Sequence, residues 1–140
     1  MTYITRATAA AGALLASVGL LAAGPAQAAP RHTLTGNWLD LTVTRGDTRA
    51  GYTRDTRHTL LLCDPPLGHR HAAEACAELV AADGDIDRIP PKKIFCTMIF
   101  APVTVHARGR WHGRLVDFQE TYSSKCVMNG RTGAVFALDD

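Results

Sequence analysis

The stretch PVTVHARGRWHGRLVDFQETYSS, Pro102 to Ser124, carries the longest β signal in the chain. Val103, Val105 and Ala107 alternate with other residues, the sequence turns around His112 and Gly113, and Val116, Phe118 and Tyr122 resume with a period of two. Such alternation on both sides of a short glycine-containing turn specifies an antiparallel hairpin, because successive strand side chains point to opposite faces. The rest of the fold is read outward from this hairpin.

Upstream, WLDLTVTRG sets Trp38, Asp40, Thr42 and Thr44 against Leu39, Leu41 and Val43, the pattern of a half-buried strand. HTLLLC, from His58, reads as a second strand ending at Cys63, and GAVFAL, Gly133 to Leu138, as a final one. The charged segment Asp47 to Arg57 and the proline-rich DPPLGHRH read as loops. AAEACAELVAA, Ala72 to Ala82, is built from strong helix formers. Cys76, Leu79 and Val80 form its inward face, and Gly84 is its stop. GDIDRIPPKK reads as a further loop with room for one helical turn before Pro90. The sum is about five strands and one or two helices, an α+β pattern dominated by an antiparallel sheet.

The N-terminus fixes the compartment. Met1 to Ala28 combines a basic start at Arg6, an apolar stretch and the ending AQA, which is the order signal peptidase reads, with cleavage between Ala28 and Ala29. A membrane anchor is the competing reading, but the apolar run falls short of the ~20 residues a spanning helix needs. Residues 29–140, about 110 in number, fit one domain. Within them Ala29 to Asn37, polar and without periodicity, reads as a mobile leader. The destination is extracellular, with no membrane partner after cleavage. The near balance of 15 basic against 13 acidic residues, with no basic run, argues against a nucleic-acid partner.

All four cysteines, Cys63, Cys76, Cys96 and Cys126, follow the cleavage site. In an oxidising compartment two disulfides are the default, and the sequence alone allows three pairings, of which the sequential one is the simplest. Cys63, His69, His71 and Cys76 offer ligand types that zinc accepts. Their spacing is not that of a zinc finger, however, and an exported thiol pair oxidises, so no metal and no cofactor are expected. Catalysis lacks a constellation too: there is no G-x-S-x-G, no H-E-x-x-H and no phosphate loop. Glu74 and Glu78 read as a solvated helix face, His106 and His112 as surface imidazoles beside the hairpin, and Trp111 as a packing residue. The chain is not expected to be an enzyme.

IFCTMIFAPV, Ile94 to Val103, does not fit a core strand: it follows PPKK, Pro102 closes it, and a proline within an apolar run demotes it to edge or non-strand. A short apolar stretch pinned at Cys96 and bounded by proline is suited to being held outside the fold for another protein to grip.

The segments LDLTVTRG, TLLLCDP, ACAELVAADGDIDRI, CTMIFAPVTV, RWHGRLVDFQETYSSKCVMN and AVFAL together resemble the subtilisin inhibitors secreted by Streptomyces and related actinobacteria, over nearly the whole mature chain. The resemblance implies an antiparallel sheet with two helices packed on one face, a homodimer made by packing sheets together, and the disulfides Cys63–Cys76 and Cys96–Cys126. It implies a reactive bond between Met98 and Ile99, with Cys96, Thr97, Phe100 and Ala101 as the protease-contacting loop. Thr97 stands where many relatives have proline. Ser124 stands where the family places an asparagine that braces the loop, and its hydroxyl offers fewer donors. The uncharged thioether of Met98 suits the broad apolar pocket of a subtilisin-like or chymotrypsin-like serine protease and leaves the acid of a trypsin-type pocket unpaired. A second function class is a secreted interaction protein of the same fold, a substrate or regulator of an extracellular transglutaminase, with Gln119, Lys92 and Lys93 as its reactive side chains.

Overall fold

The computed structural model describes residues 34–139. The signal segment Met1 to Ala28 and positions 29–33 of the leader lie outside the described residues. A five-stranded antiparallel sheet runs in the order β3-β2-β1-β4-β5. Its strands are β1 (Trp38–Asp47), β2 (Tyr52–Cys63), β3 (Pro66–Leu67), β4 (Val103–Trp111) and β5 (Arg114–Tyr122), joined by helices α1 (Ala72–Ala81) and α2 (Lys125–Thr132) and a single 3-10 turn at Ile86–Arg88.

The central strand obeys its alternation. Leu39, Leu41 and Val43 are buried while Asp40, Thr42 and Thr44 are not. Its neighbours keep register, Leu41 facing Thr59 on β2 and Ala107 on β4, so Leu39, Leu41 and Val43 share one face with Leu61, Val105 and Ala107. That face is covered by Ala72, Ala75, Cys76 and Leu79 of α1, Met128 of α2, and Phe136 of the C-terminal segment. Each large aliphatic side chain so buried contributes roughly 1.5–3 kcal/mol.

The hairpin closes as its sequence requires. Trp111 pairs with Arg114 across His112 and Gly113, whose φ of 46° and 77° are the left-handed values of a type I′ turn. The tip is locked to the end of α1. Asp83 takes hydrogen bonds from Arg114 Nη2 at 2.7 Å and 2.8 Å, and Gly84 lies against the buried ring of Trp111. Gly84 has φ of 76°, and a Cβ there would sit 2.2 Å from Trp111 Cγ, so only glycine fits.

Several expectations are corrected. Tyr52 to Arg57 belongs to β2 rather than to a charged loop, since this end of the strand pairs with β1 but lies mostly open to water, and threonine and tyrosine suit a strand wetted in this way. Val80 is 64% exposed and points away from the core. The Cys63–Cys76 disulfide instead turns the face of Ala72, Ala75, Cys76 and Leu79 inward. GAVFAL is buried but is no strand. Its amides close local turns, Val135 N to Thr132 O at 3.3 Å and Ala137 N to Ala134 O at 3.1 Å, and Phe136 stacks on Phe118. A continuous apolar run does not distinguish a buried strand from a buried irregular segment.

The fifth strand is the two-residue β3, inside the proline-rich loop and following a cis Asp64–Pro65 peptide. The inner end of the leader is held as well. Asn37 accepts from His112 N–H at 2.7 Å through its side chain and donates its own N–H to Asp64 at 2.9 Å.

Candidate functional site

The loop Ile94 to Pro102 stands off the core on the chain that leads into β4. It has neither helical nor strand bonding, and it bends at Met98. Phe95 and Met98 are as open to water as in a free extended peptide, and Ile99 and Phe100 are mostly open too. Five exposed large apolar side chains in one short stretch, Ile94 included, are a costly surface for a monomer and the kind of patch that serves as a contact site.

The loop's two legs are anchored. On the entering side the N–H of Lys92 donates to Gly130 O of α2 at 2.8 Å, and the N–H of Ile94 donates to Lys92 O at 3.0 Å. On the leaving side the N–H of Ala101 donates to Ser123 O at 2.9 Å, and the N–H of Gly46 donates to Pro102 O at 2.8 Å. Between them Cys96 is bonded to Cys126, with Cα atoms 5.7 Å apart. Pro102, without an N–H, immediately precedes β4, where no ladder donor is needed.

Ser124 acts at the base of this arrangement. It is the N-cap of α2, its hydroxyl accepting from Val127 N–H at 3.3 Å and its carbonyl from Met128 N–H at 3.0 Å. It thereby fixes the helix turn that carries Cys126, while the main-chain contact to the loop comes from Ser123. A cleft lined by Arg45, Tyr52, Arg54, Phe100, Pro102 and Lys125 lies at the leaving side.

The other candidate residues lie elsewhere. Cys63 and Cys76 are joined as a disulfide, and His69 Nδ1 accepts from His71 N–H at 2.8 Å. Burial lowers the pKa of His69 from its ordinary value. Among the described residues no group of three or more His, Cys, Asp or Glu could hold a metal. His106 pairs with Asp117 at 2.9 Å and His112 with Asp83 at 3.2 Å, both on the surface. Trp111 is fully buried packing.

Glu74 and Glu78 are not merely a solvated face. Both receive Lys92 Nζ at 3.0 Å, and Glu78 Oε2 accepts the N–H of Ala134 at 2.7 Å. Lys92 holds the carboxyl of Glu74 below its ordinary pKa and is itself raised, chiefly by Glu78. The sequence reading missed this contact. Its available signal was two carboxylates one helical turn apart with no cation on the same helix to balance them.

Comparison with known proteins agrees with the geometry. Residues 35–124 match the family described as "Subtilisin inhibitor-like". A "Putative serine protease inhibitor" of Streptomyces avermitilis is 56% identical over 129 residues, covering 92% of this chain and 86% of the relative. A "Subtilase-type protease inhibitor" of Streptomyces fradiae is 36% identical over 135 residues, covering 92% and 94%. Among solved structures, a chain from the crystal structure of Streptomyces caespitosus sermetstatin in complex with Bacillus licheniformis subtilisin is similar with a TM-score of 0.52 and 28% identity, over 72% of this chain and 99% of that one. The chain belongs to the subtilisin inhibitor-like family.

Proposed function

We propose that this protein inhibits subtilisin-like serine proteases by inserting the loop around Met98–Ile99 into the protease cleft as a substrate would enter it. The observation that carries this reading is the pairing of a fully exposed Met98 with anchors on both legs of the same short loop. An extended main chain already held in shape loses little conformational entropy on binding, so an interface of ordinary size can be tight.

The side chain of Met98 fills the primary specificity pocket, flanked by Cys96 and Thr97 on one side and by Ile99, Phe100 and Ala101 on the other. If the protease serine bonds to the carbonyl carbon of Met98, the bond to Ile99 nitrogen breaks and that nitrogen takes up a proton as an amine. The new amine stays beside the acyl group, because Ala101 and Pro102 are hydrogen-bonded to the fold and Cys96 is tied to Cys126. Attack by the tethered amine then competes with water and re-forms the peptide bond.

Export through the Met1 to Ala28 segment and assembly as a homodimer on the open face of the sheet belong to the same reading. Two disulfides among the described residues favour an oxidising destination. Titration of subtilisin with the oxidised protein is the test: activity should fall linearly to zero at one loop per protease. Full activity at a tenfold excess would remove the proposal. Light scattering should give twice the mass of the mature chain, and a monomer would rule out the dimer.

A further inference from the structure

We propose that Lys92 is a positioning residue for the Met98–Ile99 bond, clamping the entering leg of the loop to α1, α2 and the C-terminal segment together. The proposal rests on the inhibitory reading above and deepens it. Lys92 lies four residues before Cys96, in the exposed stretch that follows Ile89, the last buried residue before the loop. Its main chain is held by Gly130 O at 2.8 Å, and its ammonium bridges Glu74 and Glu78 at 3.0 Å each. Glu78 in turn receives Ala134 N–H at 2.7 Å.

Next along the chain, Ile94 lies against Gly130, where a Cβ would come within 3.0 Å of Ile94 Cδ1. Lys92 therefore meets α1 through its side chain and α2 through its main chain, and Glu78 carries the tie on to the C-terminal segment. The disulfide alone fixes Cys96 to α2 but leaves the direction from which the chain reaches it free. A second fixed point upstream removes that freedom, which matters where Thr97 offers less stiffness than a proline. Because the ion pairs are partly exposed, their effect on global stability is small. Their role lies in holding the loop's path.

The experiment compares the native protein with Lys92→Met and Lys92→Arg by two readouts. One is the rate at which catalytic amounts of subtilisin cleave Met98–Ile99. The other, needing no protease, is amide exchange at positions 92 and 94. Lys92→Met should be cleaved about tenfold faster and exchange about tenfold faster at both amides, with a nearly unchanged melting temperature, and Lys92→Arg should recover both. Glu74→Gln, which leaves Glu78 in place, should give a smaller change in the same direction. Unchanged exchange and cleavage in Lys92→Met would overturn the clamp. If the native protein fails to inhibit while exchange still rises in Lys92→Met, the clamp stands and the inhibitory reading falls.

Discussion

Cys96 is bonded to Cys126, 30 residues further along the chain, so the exposed loop is fastened to the first turn of α2. The same helix is rooted in the core by Met128, which is fully buried. The loop is therefore exposed at its crest and continuous with the core at its base.

Removing that bond with Cys96→Ser and Cys126→Ser together should reduce stability by about 3–4 kcal/mol on the chain-entropy account. It should also turn a slowly cleaved inhibitor into a substrate. Denaturant unfolding reads the first effect, and the time course of inhibition reads the second. A double variant that still inhibits without being consumed would mean that the hydrogen-bonded legs suffice.

Met98→Lys should exchange one class of target for another. The new ammonium meets the acid of a trypsin-type pocket and is left unpaired in an apolar one, so the ratio of trypsin to subtilisin inhibition should rise by more than about tenfold. Paired inhibition constants against the two enzymes check this. No change in either would show that residue 98 does not occupy the pocket.

Gly84→Ala tests the junction between α1 and the hairpin. The added methyl would meet Trp111, and the backbone conformation is left-handed, so the cost should be about 3 kcal/mol. Calorimetry should record a fall in melting temperature of more than about 10 °C. Inhibition measured well below that temperature should be retained, because the loop lies at the other end of β4.

The pH dependence has two limbs of opposite sign. Burial pushes the Tyr122 hydroxyl up to about 12, with help from the nearby charges of Glu120 and Asp87. Its contribution is complete below the ordinary tyrosine range near 10 and is lost as pH rises through the folded value. Glu74 is held below its ordinary pKa by Lys92, so its contribution is complete above the usual glutamate range and disappears as pH falls through the lowered value. Ultraviolet titration should find a late tyrosinate step that Tyr122→Phe removes. Glu74→Gln should remove a small part of the acid limb of a stability–pH curve, because the pair is partly exposed.

Where alternation or turn chemistry is local, the sequence already tells the structure. Leu39, Leu41 and Val43 announce β1, and His112–Gly113 announces the hairpin turn. The loop, too, could be read from Pro102 and Cys96. Helix α2 was less legible from residues alone. Its capping serine and terminal Gly133 were present, but it is only eight residues long and contains Asn129 and Gly130, both poor helix formers. GAVFAL was misread because a continuous apolar run does not separate a buried strand from a buried irregular segment, and Val80 because the tie of Cys76 to Cys63 sets which face of α1 turns inward, which periodicity within the helix does not record. The Lys92 clamp was hidden for a similar reason. Its partners Glu74, Glu78 and Gly130 lie 14 to 38 residues away, and only the fold brings them together.

The most direct test of the account is mass analysis of the protein after prolonged incubation with a small amount of subtilisin. The account predicts one slow cut: a product heavier by one water whose halves, because Cys96–Cys126 bridges the cut, separate only on reduction, the second beginning at Ile99. Rapid cutting at several bonds of the loop, or a single cut at any bond other than Met98–Ile99, would contradict it.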